Sequence, residues 1–359
     1  MLTQSNKIDF NGQHIYAGID AHLRSWNVTI MTEELIIKTF SQNPSPEILH
    51  QFLTRNFPNA IYHTAYEAGF CGYWIHNRLS ALGVDSIVVN PADIPTTDKE
   101  KVNKTDQRDS KKIARSLRSG HLKGIYVPSL KTLEDRNLLR TRGVLVRDLT
   151  RNKNRIKSFL YFRGIEIPER FKSKSTHWSK RFMSWLKSVE LSEKSAQKSL
   201  NLIIESSEKL RLTILGATRE IRELSQSEAY AGRVLLLRSI PGIGSLAAMT
   251  LLTELEQINR FSNFDQLCSF VGLIPSTNSS GEKENIGELT HRGNNFLRCI
   301  IVECAWIAAR RDLALNKSYH EYCKRMESAK AIIRIARKLL NRIRFVLKNN
   351  LPYESSVVK

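Results

Sequence analysis

Two aspartates three residues apart, Asp106 and Asp109, sit in Lys104-Thr-Asp-Gln-Arg-Asp-Ser-Lys-Lys-Ile-Ala-Arg-Ser-Leu117. On a helix they share a face with Ile113 and Leu117, so two carboxylates head the surface that should pack on neighbouring structure. Burial there is costly unless a cation or hydrogen-bond donors compensate. A second reading needs no ligand: Thr105 or Asp106 caps the helix, and Asp109 favours its positive end. Two further acids, Asp20 in Gly18-Ile-Asp20 and Glu67 in Ala65-Tyr-Glu-Ala-Gly69, fall near the ends of expected strands in the same region. Singly, each is an ordinary strand-end or turn residue. Jointly, four carboxylates make an oxygen-ligand set suited to Mg2+, which polarises a phosphodiester and activates its attacker.

Two other segments bear on phosphate chemistry. Ile240-Pro-Gly-Ile-Gly244 between apolar stretches fits a helix-hairpin-helix, in which Pro241, Gly242 and Gly244 let backbone N–H groups approach a phosphate; the alternative is a tight interhelical turn without a ligand. The segment from Pro275 to Gly293 reads as a flexible polar loop. Within it, a serine in Ser279-Ser-Gly281, amid His291, Arg292 and Arg298, has the chemistry of a nucleophile toward phosphate, with cations to stabilise developing charge.

The elements expected to position these residues begin with three short β-branched or aromatic strands, His14–Asp20, Trp26–Ile30 and Leu35–Phe40, which predict an antiparallel meander. Ser45-Pro46-Glu47 opens a helix by cap and first-turn proline. A strand over Ala60–Glu67, a helix from Gly72 to Leu82 and a strand over Ser86–Asn90 follow, so the order βββαβαβα indicates a mixed sheet covered by helices. Basic helical patterns over Leu130–Gly164 and Leu186–Gln226, with a loop from Pro168 to Lys187 between them, read as a helical spacer with coiled-coil character. The chain closes on a helix whose stripe Ile332, Ala336, Leu339, Ile343 and Val346 is surrounded by Lys and Arg. Three regions result: 1–125, 126–230 and 231–359.

At 359 residues, two or three domains are expected, and 41% hydrophobic with 25% charged residues excludes wholesale disorder. Lys plus Arg number 55 against 35 Asp plus Glu, a formal charge of +20. Such an excess suits a polyanionic partner, nucleic acid first. The start lacks the apolar stretch of a secretory signal and no later segment offers about 18 uncharged apolar residues, so a cytoplasmic, nucleoid-associated protein without membrane contact is expected. Five scattered cysteines without a C-x-x-C pair give no sign of a disulfide framework or zinc site.

Tyr16-Ala-Gly-Ile-Asp20, Tyr66-Glu-Ala-Gly69, Val88-Val-Asn-Pro91 with Lys104–Ser110, Ile240–Gly244, and Gly272-Leu-Ile-Pro275 through Ser279-Ser-Gly281 to Arg292-Gly-Asn294 and Leu297-Arg298 occur in one ordered series. The series resembles the DEDD transposases of bacterial insertion sequences, the IS110 family, to which Piv-type DNA invertases are related. The resemblance implies an N-terminal RuvC-like, RNase H-type domain whose acidic tetrad is Asp20, Glu67, Asp106 and Asp109, binding Mg2+. It implies a C-terminal transposase domain whose serine becomes covalently joined to DNA: Ser280, immediately before glycine, with Ser279 one residue away as the alternative. It also implies a structured noncoding bridge RNA that pairs with donor and target DNA, and composite sites in a homodimer or homotetramer. Lys104, Arg108, Pro241, Gly242, Gly244, His291, Arg292 and Arg298 are the expected nucleic-acid contacts. Many relatives carry lysine two residues before the glycine step, where this chain has Thr290-His291-Arg292-Gly293; a histidine there carries only part of a positive charge near neutral pH. The expected activity is DNA strand cleavage and rejoining. A metal-dependent Holliday-junction nuclease and a noncatalytic nucleic-acid scaffold are the competing readings.

Overall fold

The computed structural model describes residues 9–95, 105–173, 175–280, 283–290 and 292–354; the side chains of 276–286 are outside that description. The chain divides into two compact units, Met1–Val127 and Pro128–Lys359.

In the first unit β1 (His14–Ala21), β2 (Trp26–Met31) and β3 (Ile36–Gln42) form the expected antiparallel meander. The helix α1 (Pro46–Asn56) starts as its residues predict, with the Ser45 hydroxyl accepting from the Ile48 N–H and proline in the first turn. It leads to β4 (Ile61–Glu67), which lies parallel to β1; α2 (Trp74–Ala81) then leads to β5 (Asp85–Val89), parallel to β4. The mixed sheet has the order β3-β2-β1-β4-β5. Alternation along the strands separates its two faces. Ile15, Ala17 and Ile19 of β1 join Leu49, Leu53, Ile75 and Leu79 in the main core. Ala65 and Val89 turn the other way and pack with Ile113 of α3 (Asp106–Arg118).

The second unit is mainly helical. Its long helices α4 (Leu130–Phe162) and α6 (Lys194–Ser225) run antiparallel, since Arg142 Nε donates to Thr218 Oγ1 while, farther along α4, Asn152 Nδ2 donates to Ser206 Oγ. The segment between them is not the loop the sequence suggests. It contains a 3-10 turn at Glu169–Phe171 and α5 (Lys180–Lys187), because Phe171, Phe182 and Leu186 have their own core against Ile156, Leu160, Leu200 and Ile204. Burial of each such side chain contributes about 1.5–3 kcal/mol, enough to order a stretch rich in Lys and Ser. The remaining helices are α7 (Ala231–Arg238), α8 (Ser245–Leu255), α9 (Phe264–Val271), α10 (Asn295–Arg311), α11 (Leu313–Cys323) and α12 (Ser328–Asn349). The apolar stripe of α12 is buried as its spacing predicts.

A second correction concerns the polar segment after α9. Rather than a loop, it forms a hairpin, β6 (Pro275–Ser280) paired antiparallel with β7 (Lys283–Leu289). Backbone pairing links the two strands, and the sequence of β6 lacks the apolar alternation that would announce a strand. Among the described residues no helix is long and apolar enough to cross a membrane.

Candidate active site and nucleic-acid contacts

The first site is built on Gly18. A Cβ at this position would collide with the Ser110 carbonyl and the Ala114 amide of α3, so only glycine allows the helix to lie against β1. The buried Thr29 and Ser110 hydroxyls hydrogen-bond at 2.9 Å beneath the same crossing, which fixes α3 on β2 as well. Asp20 lies two residues on from Gly18, hence on the α3 face. In the parallel register Ile19 is opposite Tyr66, so Glu67 follows at the neighbouring strand end; like Ala65, two residues before it, it belongs to the α3 face.

The first turn of α3 supplies Asp106 and Asp109. The capping alternative loses its main contact, since Thr105 occupies the N-cap without a side-chain hydrogen bond. Among the described residues, Asp20, His22 and Asp106 have ligand atoms all within 4.8 Å of one another. His22 Nε2 lies 3.2 Å from Asp20 Oδ2 and 3.5 Å from Asp106 Oδ1. Burial pushes the Asp20 carboxyl up from its ordinary pKa; His22 opposes the shift, while the charges of Asp106 and Asp109 add to it. Asp109 also accepts from Lys112 Nζ at 3.2 Å. Asp109 and Glu67 are both half-buried and stand outside the 4.8 Å group, so the structure brings together two of the four expected acids there.

The half-buried Asp20 and the exposed Asp106, converging beside His22, are a donor set that a divalent cation accepts. Sequence reasoning missed His22. The signal was available, because positions 20 and 22 at the end of a strand share a face.

In the second unit Ser280 ends β6 opposite Lys283, and Ser279 is opposite Glu284. The hairpin base is fixed by Arg298, whose guanidinium donates to the Gly272 and Thr290 carbonyls at 3.2 and 2.8 Å and to Asn295 Oδ1 at 2.8 Å. Next to it Asn294, the N-cap of α10, donates from Nδ2 to the buried Glu254 of α8 at 2.7 Å. Glu254 in turn takes two hydrogen bonds, at 2.7 and 2.8 Å, from Arg140 of α4. The expected nucleic-acid residue Arg298 is thus an internal clamp in this structure.

Ile240–Gly244 does join two helices, α7 and α8. Gly242, at φ 97°, faces α10: a Cβ there would meet the Cys304 carbonyl oxygen at 2.6 Å, so this glycine serves helix packing. Pro241 is half-buried beside it, and Gly244 is exposed at the N-cap of α8 with open space where a side chain would be. Arg108 and Arg292 are exposed, the first in the opening turn of α3 and the second just before Gly293. Lys104 and His291 lie outside the described residues.

A model of IS110-type DEDD transposases matches residues 17–162, and one described as the transposase IS116/IS110/IS902 family matches residues 234–321. The first contains all four acids; the second begins within α7 and contains α8, the hairpin and α10. The chain belongs to the IS110-family DEDD transposases. It is therefore an enzyme of the transposase class with a RuvC-like first unit, and the DEDD assignment carries divalent-metal use with it. The transposase is 30% identical over 71% of its length to a putative transposase, y4qE, of Sinorhizobium fredii, of which the match covers 60%. It is 28% identical to the transposase for insertion sequence element IS1533 of Leptospira borgpetersenii, over 81% of this chain and 84% of that one. It is 24% identical to the transposase for IS1111A of Coxiella burnetii, over 66% and 63%.

Proposed function

We propose that this transposase cuts and rejoins DNA of a mobile element through a covalent serine intermediate, guided by a bridge RNA. Asp20, Glu67, Asp106 and Asp109 hold Mg2+, with His22 against two of the carboxylates. The cation supplies Lewis-acid polarisation of the phosphodiester. Ser280 is the nucleophile: its Oγ forms a bond to phosphorus as a P–O bond of the DNA backbone breaks, and the released hydroxyl end departs with a proton. The reverse step, with a hydroxyl of another strand attacking the phosphoserine, rejoins DNA without an external energy source. Donor DNA, target DNA and a structured noncoding RNA are the partners. Two or four chains assemble the composite site.

The observation that supports this reading most is the convergence of Asp20 and Asp106 where Gly18 lets α3 descend onto the end of β1. The basic helices and the exposed N-terminus of α8 at Gly244 suit nucleic-acid backbone contacts.

The test is covalent trapping. Protein, cognate RNA, Mg2+ and labelled DNA are incubated and then denatured. A protein–DNA adduct absent in Ser280→Ala is expected, with Ser279→Ala retaining it. Asp106→Asn should bind nucleic acid yet form no adduct. Nicked DNA released without any adduct would instead identify a junction nuclease using water.

A further inference from the structure

A groove of about 1010 Å3 lies along the base of the hairpin, between β7 and α12. Its inner wall is apolar, formed by Phe264, Leu273, Leu289, Tyr322 and Ile333. Its outer wall is a stripe of α12: Lys330, Arg334, Arg337, Lys338 and Asn341 follow one another at spacings of three or four residues, or as neighbours, on the face turned away from the buried stripe. The Tyr322 ring orients two of these cations, with the Arg334 guanidinium 5.5 Å and the Lys338 ammonium 5.4 Å from its centroid. Arg337 is used by the fold, donating to the Leu273 carbonyl at 3.0 Å and standing 3.5 Å from Asp265. Among the described residues Lys330, Arg334 and Lys338 make no salt bridge and all three are exposed, Lys338 donating to Ser318 Oγ at 2.9 Å; Glu288, Glu327 and the clamp Arg298 also line the groove, where the α12 cations outnumber the two acids.

An apolar floor beneath a row of cations matches a single nucleic-acid strand, which turns bases and sugars to the floor and phosphates to the rim. The volume of the groove suits a few nucleotides of a single strand. Its direction also matters. Pro275 and Leu289, paired at the hairpin base, both line it, while Ser280 stands at the opposite end of β6. The five residue steps of β6 span about 17 Å, a distance that an extended strand covers in a few nucleotides.

We propose that the groove between β7 and α12 binds single-stranded DNA, the unpaired part of the strand presented to Ser280, through its phosphates at Lys330, Arg334 and Lys338. The choice of DNA, and it alone, rests on the serine reading above. Charge complementarity decides against a second copy of this chain, whose own charge of +20 would be repelled by the rim.

The experiment measures binding of a fluorescent single strand of about 15 nucleotides to the full-length protein over a range of salt, for wild type, Lys330→Ala/Arg334→Ala/Lys338→Ala and Ser280→Ala. The triple variant should bind roughly tenfold or more weakly, and its log K against log salt should be shallower by about 2, the expectation for three lost phosphate contacts on a single strand. A duplex of the same sequence should be affected less. Ser280→Ala should bind like wild type. An unchanged salt slope in a triple variant that melts with wild type overturns the proposal. So does tighter binding of the matching RNA strand, equal competition by poly-glutamate, or a concentration-dependent dimer that the triple variant abolishes. Intact groove binding in a protein that never forms the adduct would remove the serine reading and leave the groove.

Discussion

Gly18 on β1 and Ser110 on α3 meet backbone to backbone: the position a Cβ would take on the glycine is already filled by the serine carbonyl oxygen and the Ala114 amide nitrogen, and lies 2.9 Å from the Ala114 Cα. This crossing brings Asp106 to Asp20. Without it, the two acids would belong to separate elements with no reason to share a cation.

Gly18→Ala should therefore cost about 1–3 kcal/mol or more through forced displacement of α3, read as a lower urea midpoint for the first unit. Gly69→Ala, where nothing lies within 4 Å of the added methyl, should change stability by about 0.5 kcal/mol or less. Equal effects of the two substitutions would contradict the packing argument.

A pH-dependent prediction comes from Asp312, the N-cap of α11. Its buried carboxylate accepts from the Leu315 N–H at 2.9 Å, from Arg342 at 2.6 Å and from the Tyr353 hydroxyl at 2.7 Å. Burial alone would raise its pKa; the donors and the Arg342 charge outweigh burial and hold it below the ordinary carboxylate range. A depressed native pKa stabilises the fold above the unfolded-state value of about 3.9 and loses that contribution as pH falls through the native value. Asp312→Asn should thus cost on the order of 3 kcal/mol near neutrality, and urea titrations of variant and wild type should converge in acid. A difference that grew toward low pH would reverse the assignment.

How much of this was legible in the sequence depends on which physical signal each element carries. The five strands and α1 announce themselves by β-branched runs and by the Ser45-Pro46 start, and the acids stood out because carboxylates on a packing face need an explanation. The hairpin did not, since Thr277, Asn278, Ser279 and their partners offer no apolar alternation along the sequence. The helix α5 was hidden because its aromatic anchors Phe182 and Trp185 are interspersed with Lys and Arg, and its packing partner Phe171 lies in a separate turn. Arg298 looked like a free cation; only the fold shows three acceptors around it. The glycine at 242 likewise looked available to a phosphate until α10 was seen against it.

For Arg298 the prediction separates clamp from ligand contact. Arg298→Lys keeps the charge but loses the planar fork, so the paired amide of Thr290, which donates to the Ile274 carbonyl at 3.0 Å, should exchange its hydrogen roughly tenfold faster, about the value of one hydrogen bond. Affinity for single-stranded DNA should fall far less than in the groove triple variant. Unchanged exchange with a large affinity loss would make the residue a phosphate ligand instead.

The central claim is that the acids of the first unit form one cation site, and metal titration tests it most directly. Full-length protein titrated with Mn2+, followed by its electron paramagnetic resonance signal and by competition with Mg2+, should show a saturable site. Asp20→Asn, Glu67→Gln, Asp106→Asn and Asp109→Asn should each weaken it by roughly tenfold or more, with His22→Ala within the 10–100-fold range of groups that orient ligands. Glu47→Gln, which removes an acid paired with Arg78, should leave it unchanged. Identical metal binding by wild type, Asp20→Asn and Asp106→Asn would contradict the account.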